Sequence, residues 1–261
     1  MKQKNLLHSE FSGSGPTVVL LPGMFGSSRY FSELIPALHK AGKSTLTIDL
    51  LGFGRSPKPR NSDYDFDAHC SAILNTIDAH RITQPVTIIG VSMASTLIVD
   101  LLRRRTAFFN KAVYISPMIC SSPKIAEELS YLTGNIGPLL RTKPVSWVLC
   151  HTVCAVKPVA RVTYRMVDTN NQPRPIVDDA TLHTWRSYSR SFTNILVGQN
   201  IAKDLLSTNI ESVIIYGKND KSMEHELLEM AAKNPKVMIY ASPVSHHPVL
   251  DDMKKTVEYI V

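Results

Sequence analysis

The amino-acid sequence predicts an α/β fold: a mostly parallel central sheet with helices on both faces and a helical insertion in its second half. Three observations carry this. Short β-branched apolar runs alternate with longer amphipathic segments, as in strand–helix units. The runs are continuously apolar rather than alternating, which suits strands buried on both faces. From about Met118 to Asn200 the alternation stops.

Taken in order, Val18–Leu21 lies between Pro16 and Pro22-Gly23. Leu46–Ile48 ends at Asp49, Val86–Ile89 runs from Pro85 to Gly90, and Val113–Ile115 ends at Ser116-Pro117. Val213–Tyr216 stops at Gly217, and Val237–Tyr240 ends before Ser242-Pro243. The bounding residues are mostly turn formers and breakers, so each run reads as a strand. Helical periodicity falls near Tyr30–Ala41, Asp67–His80, Ala94–Arg104 and Met223–Lys233, with a last helix from about Pro248 towards Ile260. The stretch without strands carries Pro123, Pro138, Pro144, Pro158, Pro173 and Pro175, and helical pieces such as Ile125–Leu132 and Leu182–Val197. It is expected to form a lid over one end of the sheet: a core of residues 1–117 and 201–261 with a cap of residues 118–200. No Gly/Ser linker separates them, so the two should pack together.

A chain of 261 residues with 44% hydrophobic and 20% charged residues suits one large domain or a core with an inserted subdomain. Disordered, collagen-like and repeat classes are excluded. The net charge of +7 comes without a long basic block, so nucleic acid is not expected as a partner. Arg103, Arg104 and Arg105 fall where a helix should end, where cations are stabilised by the helix dipole. The four cysteines, Cys70, Cys120, Cys150 and Cys154, make no disulfide framework in a chain this long. Cys150 and Cys154 beside His151 are too few ligands for a metal site, so they read as free thiols. Neither a metal nor a cofactor is expected. Met1 to Phe11 contains no apolar leader. Val145–Ala160 is broken by His151, Lys157 and Pro158, short of the about 20 residues a membrane span needs. The expectation is a soluble cytoplasmic protein without integral membrane association; the residues set no oligomeric state.

Gly90-Val91-Ser92-Met93-Ala94 follows a buried strand and opens a helix. A sharp turn there lifts a serine hydroxyl above the sheet edge, and small neighbours let helix and strand approach. Ala94 takes the place of the motif's last glycine. A serine nucleophile needs a base, and the chain order for this arrangement is nucleophile, acid, histidine. Asp220 lies just past Val213–Tyr216, in Gly217-Lys218-Asn219-Asp220. His246 lies past the next strand, in Ser245-His246-His247-Pro248. Asp220 would orient the imidazole and stabilise it once protonated. An oxyanion hole needs two backbone N–H groups. Met93, after the serine, and Met24, in the loop after the first strand, are the candidates.

These residues resemble the α/β-hydrolase superfamily over almost the whole chain. Leu20-Leu21-Pro22-Gly23-Met24-Phe25-Gly26-Ser27-Ser28 resembles its oxyanion loop, with Pro22 where histidine is usual. Asp49-Leu50-Leu51-Gly52-Phe53-Gly54-Arg55-Ser56 resembles its D-x-x-G-x-G-x-S turn. Gly90 to Ala94 is similar to its nucleophile elbow, and Gly217 to Asp220 to its acid turn. Ser245 to Asp251 resembles its histidine loop, with Ser245 replacing glycine, and that register assigns the catalytic role to His246 over His247. The resemblance implies an α/β-hydrolase fold, a helical cap shaping the acyl pocket, and a likeness to serine carboxylesterases and carbon–carbon bond hydrolases. Branches with an aspartate nucleophile, haloalkane dehalogenases and epoxide hydrolases, are excluded by the serine at position 92.

The leading expectation is hydrolysis of a small-to-medium acyl ester, lactone or thioester through an acyl-enzyme, with a small-molecule acyl substrate as the partner. Two alternatives stay open: hydrolysis of a carbon–carbon bond in a diketone-like ring-fission product, and a ligand-binding or receptor role on the same scaffold. The expected cap is net basic, with Arg141, Lys143, Lys157, Arg161, Arg165, Arg174, Arg186 and Arg190. These read as solvated surface, with attraction of an anionic substrate as the other reading.

Overall fold

The computed structural model describes residues 6–130, 143–152, 156–167, 172–197, 201–244 and 246–261. Arg141, Cys154, Ser245, Pro138 and the end of the expected helix Ile125–Leu132 lie outside the described residues.

The strands are β1 (Ser9–Ser12), β2 (Thr17–Leu21), β3 (Ser44–Ile48), β4 (Val86–Val91), β5 (Phe109–Ile115), β6 (Glu211–Gly217) and β7 (Val237–Ser242). They form one sheet in the order β1-β3-β2-β4-β5-β6-β7. All neighbours are parallel except β1, which runs antiparallel to β3. Alternate residues of each central strand enter opposite cores. Val19, Leu21, Ile88, Ala112 and Ile214 pack on one face, and Val18, Leu20, Ile89, Val113 and Val213 on the other. Burial on both faces is why these runs are continuously apolar.

Helices α1 (Leu34–Lys40), α2 (Phe66–Ala79) and α3 (Met93–Arg104) connect the first strands. Between β5 and β6 come α4 (Pro123–Ser130), α5 (Lys143–Thr152), α6 (Lys157–Val167), α7 (Arg174–Asp179), α8 (Trp185–Ser191), a π-helical turn at Phe192–Leu196 and α9 (Ile201–Leu206). The chain ends with α10 (Glu226–Ala231), α11 (Pro248–Asp251) and α12 (Met253–Ile260). Among the described residues, no helix is long and apolar enough to cross a membrane.

Three expected helices are shorter or split. A continuous helix from Tyr30 would need an N–H at position 36 for the carbonyl of Ser32. Pro36 has none, so Ser28–Phe31 forms a separate 3-10 turn and α1 starts at Leu34. The last helix breaks at Asp252, whose carboxylate accepts hydrogen bonds from Tyr240 and Ser242 on β7 (2.6 and 2.7 Å). The helix expected from Met223 starts at Glu226, because Glu224 is drawn to the β5–α4 connection: its N–H donates to the Ile119 carbonyl (2.9 Å) and its carboxylate holds Ser121.

The arginine run at the end of α3 is paired. Arg104 binds Asp100 and Asp67, Arg105 grips Asp78 with two bonds, and Arg103 meets Asp204. Cys70 and Cys120 are buried free thiols.

The inserted helices are tied to the core by polar bonds at several points. Ser27 Oγ donates to Asp179 (2.6 Å), Arg186 to the Ser62 carbonyl (2.9 Å), and Asn194 to the Asp63 carbonyl (2.8 Å). His69 on α2 is fully buried and pairs through Nε2 with Ser191 Oγ (3.1 Å). Its Nδ1 has no partner among the described residues. Burial pushes its pKa down to about 4, so it stays neutral in the folded chain and takes a proton on unfolding. The unfolded state therefore binds more protons below about pH 6.5, and stability falls as pH falls from there towards about 4. We expect this residue to add a slope of about 1.4 kcal/mol per pH unit over that window. Urea unfolding across pH should show a shallower slope for His69→Asn; an unchanged slope contradicts the assignment.

Candidate active site

Parallel strands point their C-terminal ends the same way, so the loops after β2, β4, β6 and β7 meet at one edge of the sheet. Each sequence-predicted residue sits on one of them. Ser92 joins β4 to α3 with φ 51 and ψ −116, a region that L side chains rarely occupy. The turn is braced from three sides. Ser92 N–H donates to the Ile115 carbonyl of β5 (2.8 Å), and Ser95 Oγ returns to the Gly90 carbonyl (2.6 Å). At Gly90 a Cβ would lie 2.8 Å from the backbone of Ala94, so only glycine lets α3 cross so close to β4. Ala94 itself lies within α3 in ordinary helical conformation, which is why alanine serves there.

Met93 is the first residue of α3, where backbone N–H groups have no acceptor within the helix. Met24 lies in the loop after β2, and a Cβ on its neighbour Gly23 would stand 3.3 Å from Ser92 Cβ. The loop is held in place by the D-x-x-G-x-G-x-S turn. Buried Asp49 accepts from Ser28 N–H (2.6 Å) and Arg55 N–H (2.8 Å), and Ser56 Oγ closes on the Asp49 carbonyl (2.6 Å). Gly54 has φ +49, and a Cβ there would collide with the Asp49 carboxylate at 2.2 Å. Phe25, also at positive φ (67), packs against Phe53, His183 and Tyr188.

Asp220 is buried just past β6 and His246 half-buried past β7. Asp220 Oδ2 and His246 Nδ1 are 2.7 Å apart. The carboxylate accepts, so Nδ1 carries the proton and Nε2 is left as the basic nitrogen. Burial raises the Asp220 pKa, but the bond and charge of His246 and two bonds from Ser222 outweigh it, leaving it below the usual carboxylate value.

His247 is held elsewhere. Its Nε2 accepts from the Gln172 amide (2.8 Å) and its Nδ1 meets Tyr30 Oη (3.2 Å). Burial first, and then the neighbouring His246, push its pKa down to about 3. Both ring nitrogens are engaged, which separates the two adjacent histidines.

Sequence reasoning missed Ser222 and His225. Ser222 gives Asp220 Oδ1 its hydroxyl (2.6 Å) and its N–H (2.9 Å), and its Oγ lies 3.2 Å from His246 Nδ1. His225 Nε2 donates to the Asp220 carbonyl (2.7 Å). The only signal was a serine two residues after an aspartate, a spacing that closes local side-chain-to-backbone turns.

Fold and site define the class: the chain belongs to the α/β-hydrolase family, whose model for the alpha/beta hydrolase fold matches residues 16–149. Among particular proteins it is similar to a probable lysophospholipase, BODYGUARD 4 of Arabidopsis thaliana, with 24% identity over 80% of this chain and 53% of that protein. The chain thus spans about half the length of that relative. An esterase from Exiguobacterium antarcticum superposes with a TM-score of 0.71 at 17% identity, covering 97% of this chain and 92% of that one. A bromoperoxidase from Bacillus anthracis does so with a TM-score of 0.74 at 20% identity, over 96% and 92%. At these identities the two structures share the fold.

Gly90→Val should prevent the elbow from closing, because the added atoms meet the Ala94 backbone at 2.8 Å as well as the Ile98 side chain, and the backbone cannot swing aside. A loss of about 1–3 kcal/mol or more is expected, seen as a lower Tm. An unchanged Tm contradicts the packing described.

Proposed function

We propose that the chain is a serine hydrolase that cleaves a small-to-medium acyl ester, or a related lactone or thioester, through an acyl-enzyme. The observation that carries this is the 2.7 Å contact between Asp220 and His246 at the same sheet edge as the strained Ser92 turn. In this reading Ser92 Oγ attacks the acyl carbonyl and His246 Nε2 takes its proton. Asp220 keeps the imidazole in the Nδ1–H tautomer and stabilises the imidazolium. The N–H groups of Met93 and Met24 receive the oxyanion; the first sits at the positive end of α3. His246 returns the proton to the leaving alcohol, then activates water to release the acid and restore Ser92.

Residues 118–200 act as the cap in this proposal. Its His183 and Tyr188 meet Phe25 beside the oxyanion loop, so the wall nearest Met24 is aromatic and suits an apolar acyl chain. Similarity to a probable lysophospholipase supports including longer acyl chains in the substrate class.

On a series of p-nitrophenyl esters of increasing chain length, Ser92→Ala should lower kcat about 1,000-fold or more with an unchanged Tm. Full turnover by Ser92→Ala overturns the proposal. Ser222→Ala should leave a milder defect, roughly tenfold in kcat, that deepens as pH falls, because Asp220 then loses the hydroxyl donor that helps to keep its pKa low and retains only the backbone N–H of position 222. A pH profile parallel to that of the native chain would reduce Ser222 to a structural residue.

A further inference from the structure

Helix α6 packs its inner side on α7 and turns the other outward. Arg165 holds Asp178 with two bonds (2.9 and 2.7 Å), Lys157 Nζ donates to the Thr181 carbonyl (2.5 Å), and Ala160 is fully buried. On the opposite side, Val159, Val162 and Met166 fall at i, i+3 and i+7, one row along the helix. They are 49%, 52% and 81% exposed, and Val156, just before the helix, is 52% exposed. The preceding helix, α5, exposes Trp147 and Val148 about as much. Large apolar side chains scattered singly on a surface need no explanation, but a row of them on one helix face does.

The sequence around that row carries charge of one sign. Arg161 is exposed beside that row, between Lys157 and Arg165, whose head groups bind α7 and the turn after it. Between Glu128 and Asp168 the sequence has no acidic residue, while Arg141, Lys143, Lys157, Arg161 and Arg165 are all cationic. The facing acid is Asp178, which Arg165 occupies. A second copy of the chain packed there about a two-fold axis would set cations against cations. An apolar row beside an exposed arginine, on a segment of sequence without acidic residues, matches a helix lying in the interface of a bilayer. Its apolar side chains sink to the acyl boundary and Arg161 reaches the headgroups.

The geometry points to α6 as a docking face for an anionic lipid bilayer. The proposal does not depend on the role given to Ser92. Its test is co-sedimentation of the full chain with phosphatidylcholine vesicles, with and without phosphatidylglycerol, at low and raised salt. Binding should require the anionic lipid and weaken with salt. It should fall about tenfold or more in Val159→Glu/Val162→Glu/Met166→Glu, and also about tenfold or more in Arg161→Glu, which changes the charge by two units. Circular dichroism reports whether each variant folds. Arg161→Glu, a single change at an exposed position, keeps the test readable if the triple variant does not fold. Native protein that stays in the supernatant, binding indifferent to anionic lipid, or folded variants that sediment like the native chain would each overturn the proposal. So would a triple variant that only changes the elution volume on gel filtration, which would assign the face to a second copy.

Discussion

The turn between β4 and α3 fixes the rest of the site. Ser92 is held at φ 51, a conformation that costs an L residue on the order of 1–3 kcal/mol. That cost is tolerated because the flanking backbone has nowhere else to go. β4 is paired on both sides, by β2 and β5, and buried on both faces. Gly90 removes the one Cβ that would keep α3 off the strand. A slacker junction would let the serine relax into the helix, and its hydroxyl would leave the sheet edge.

The second arm depends on the same sheet. Asp220 and His246 come from loops after neighbouring strands; the β6–β7 register runs to Gly217↔Ser242, and backbone bonds from Lys218 to Ser242 and from Asn219 to Val244 carry the pairing on towards both residues. A buried carboxylate is costly unless it is hydrogen-bonded, and Asp220 has partners on both oxygens. The neighbouring histidine is withdrawn by Tyr30 from the core and Gln172 from the insertion. One histidine is thus joined to the acid and the other fastened to the scaffold, although the two are adjacent in sequence.

Much of this was legible in the residues. Six of the seven strands among the described residues show as apolar runs because both faces are buried. β1 was missed because Ser9–Ser12 is short, largely polar and mostly exposed at a sheet edge, with no run to read. Helix ends were misplaced wherever a distant partner decided them, as with Asp252 bound by β7. Ser92, Asp220 and His246 stand out as candidates from strand ends and turn residues, which are local signals, and the contact between Asp220 and His246 is what the fold adds. The partners of His247 could not, since Tyr30 and Gln172 are far away in sequence and meet it only in the folded chain. Ser222 fell between these cases: its spacing to Asp220 is local, but its closeness to His246 is tertiary.

The central claim is that Ser92 is a nucleophile activated by His246 and not by His247. Intact-mass measurement of labelling by a fluorophosphonate, with peptide mapping of the adduct, tests it most directly. The account predicts one adduct, on Ser92, formed rapidly by the native chain and by a folded His247→Ala variant, and slowed by about a thousandfold in His246→Ala. An adduct elsewhere, or labelling lost with His247 and kept without His246, would contradict it.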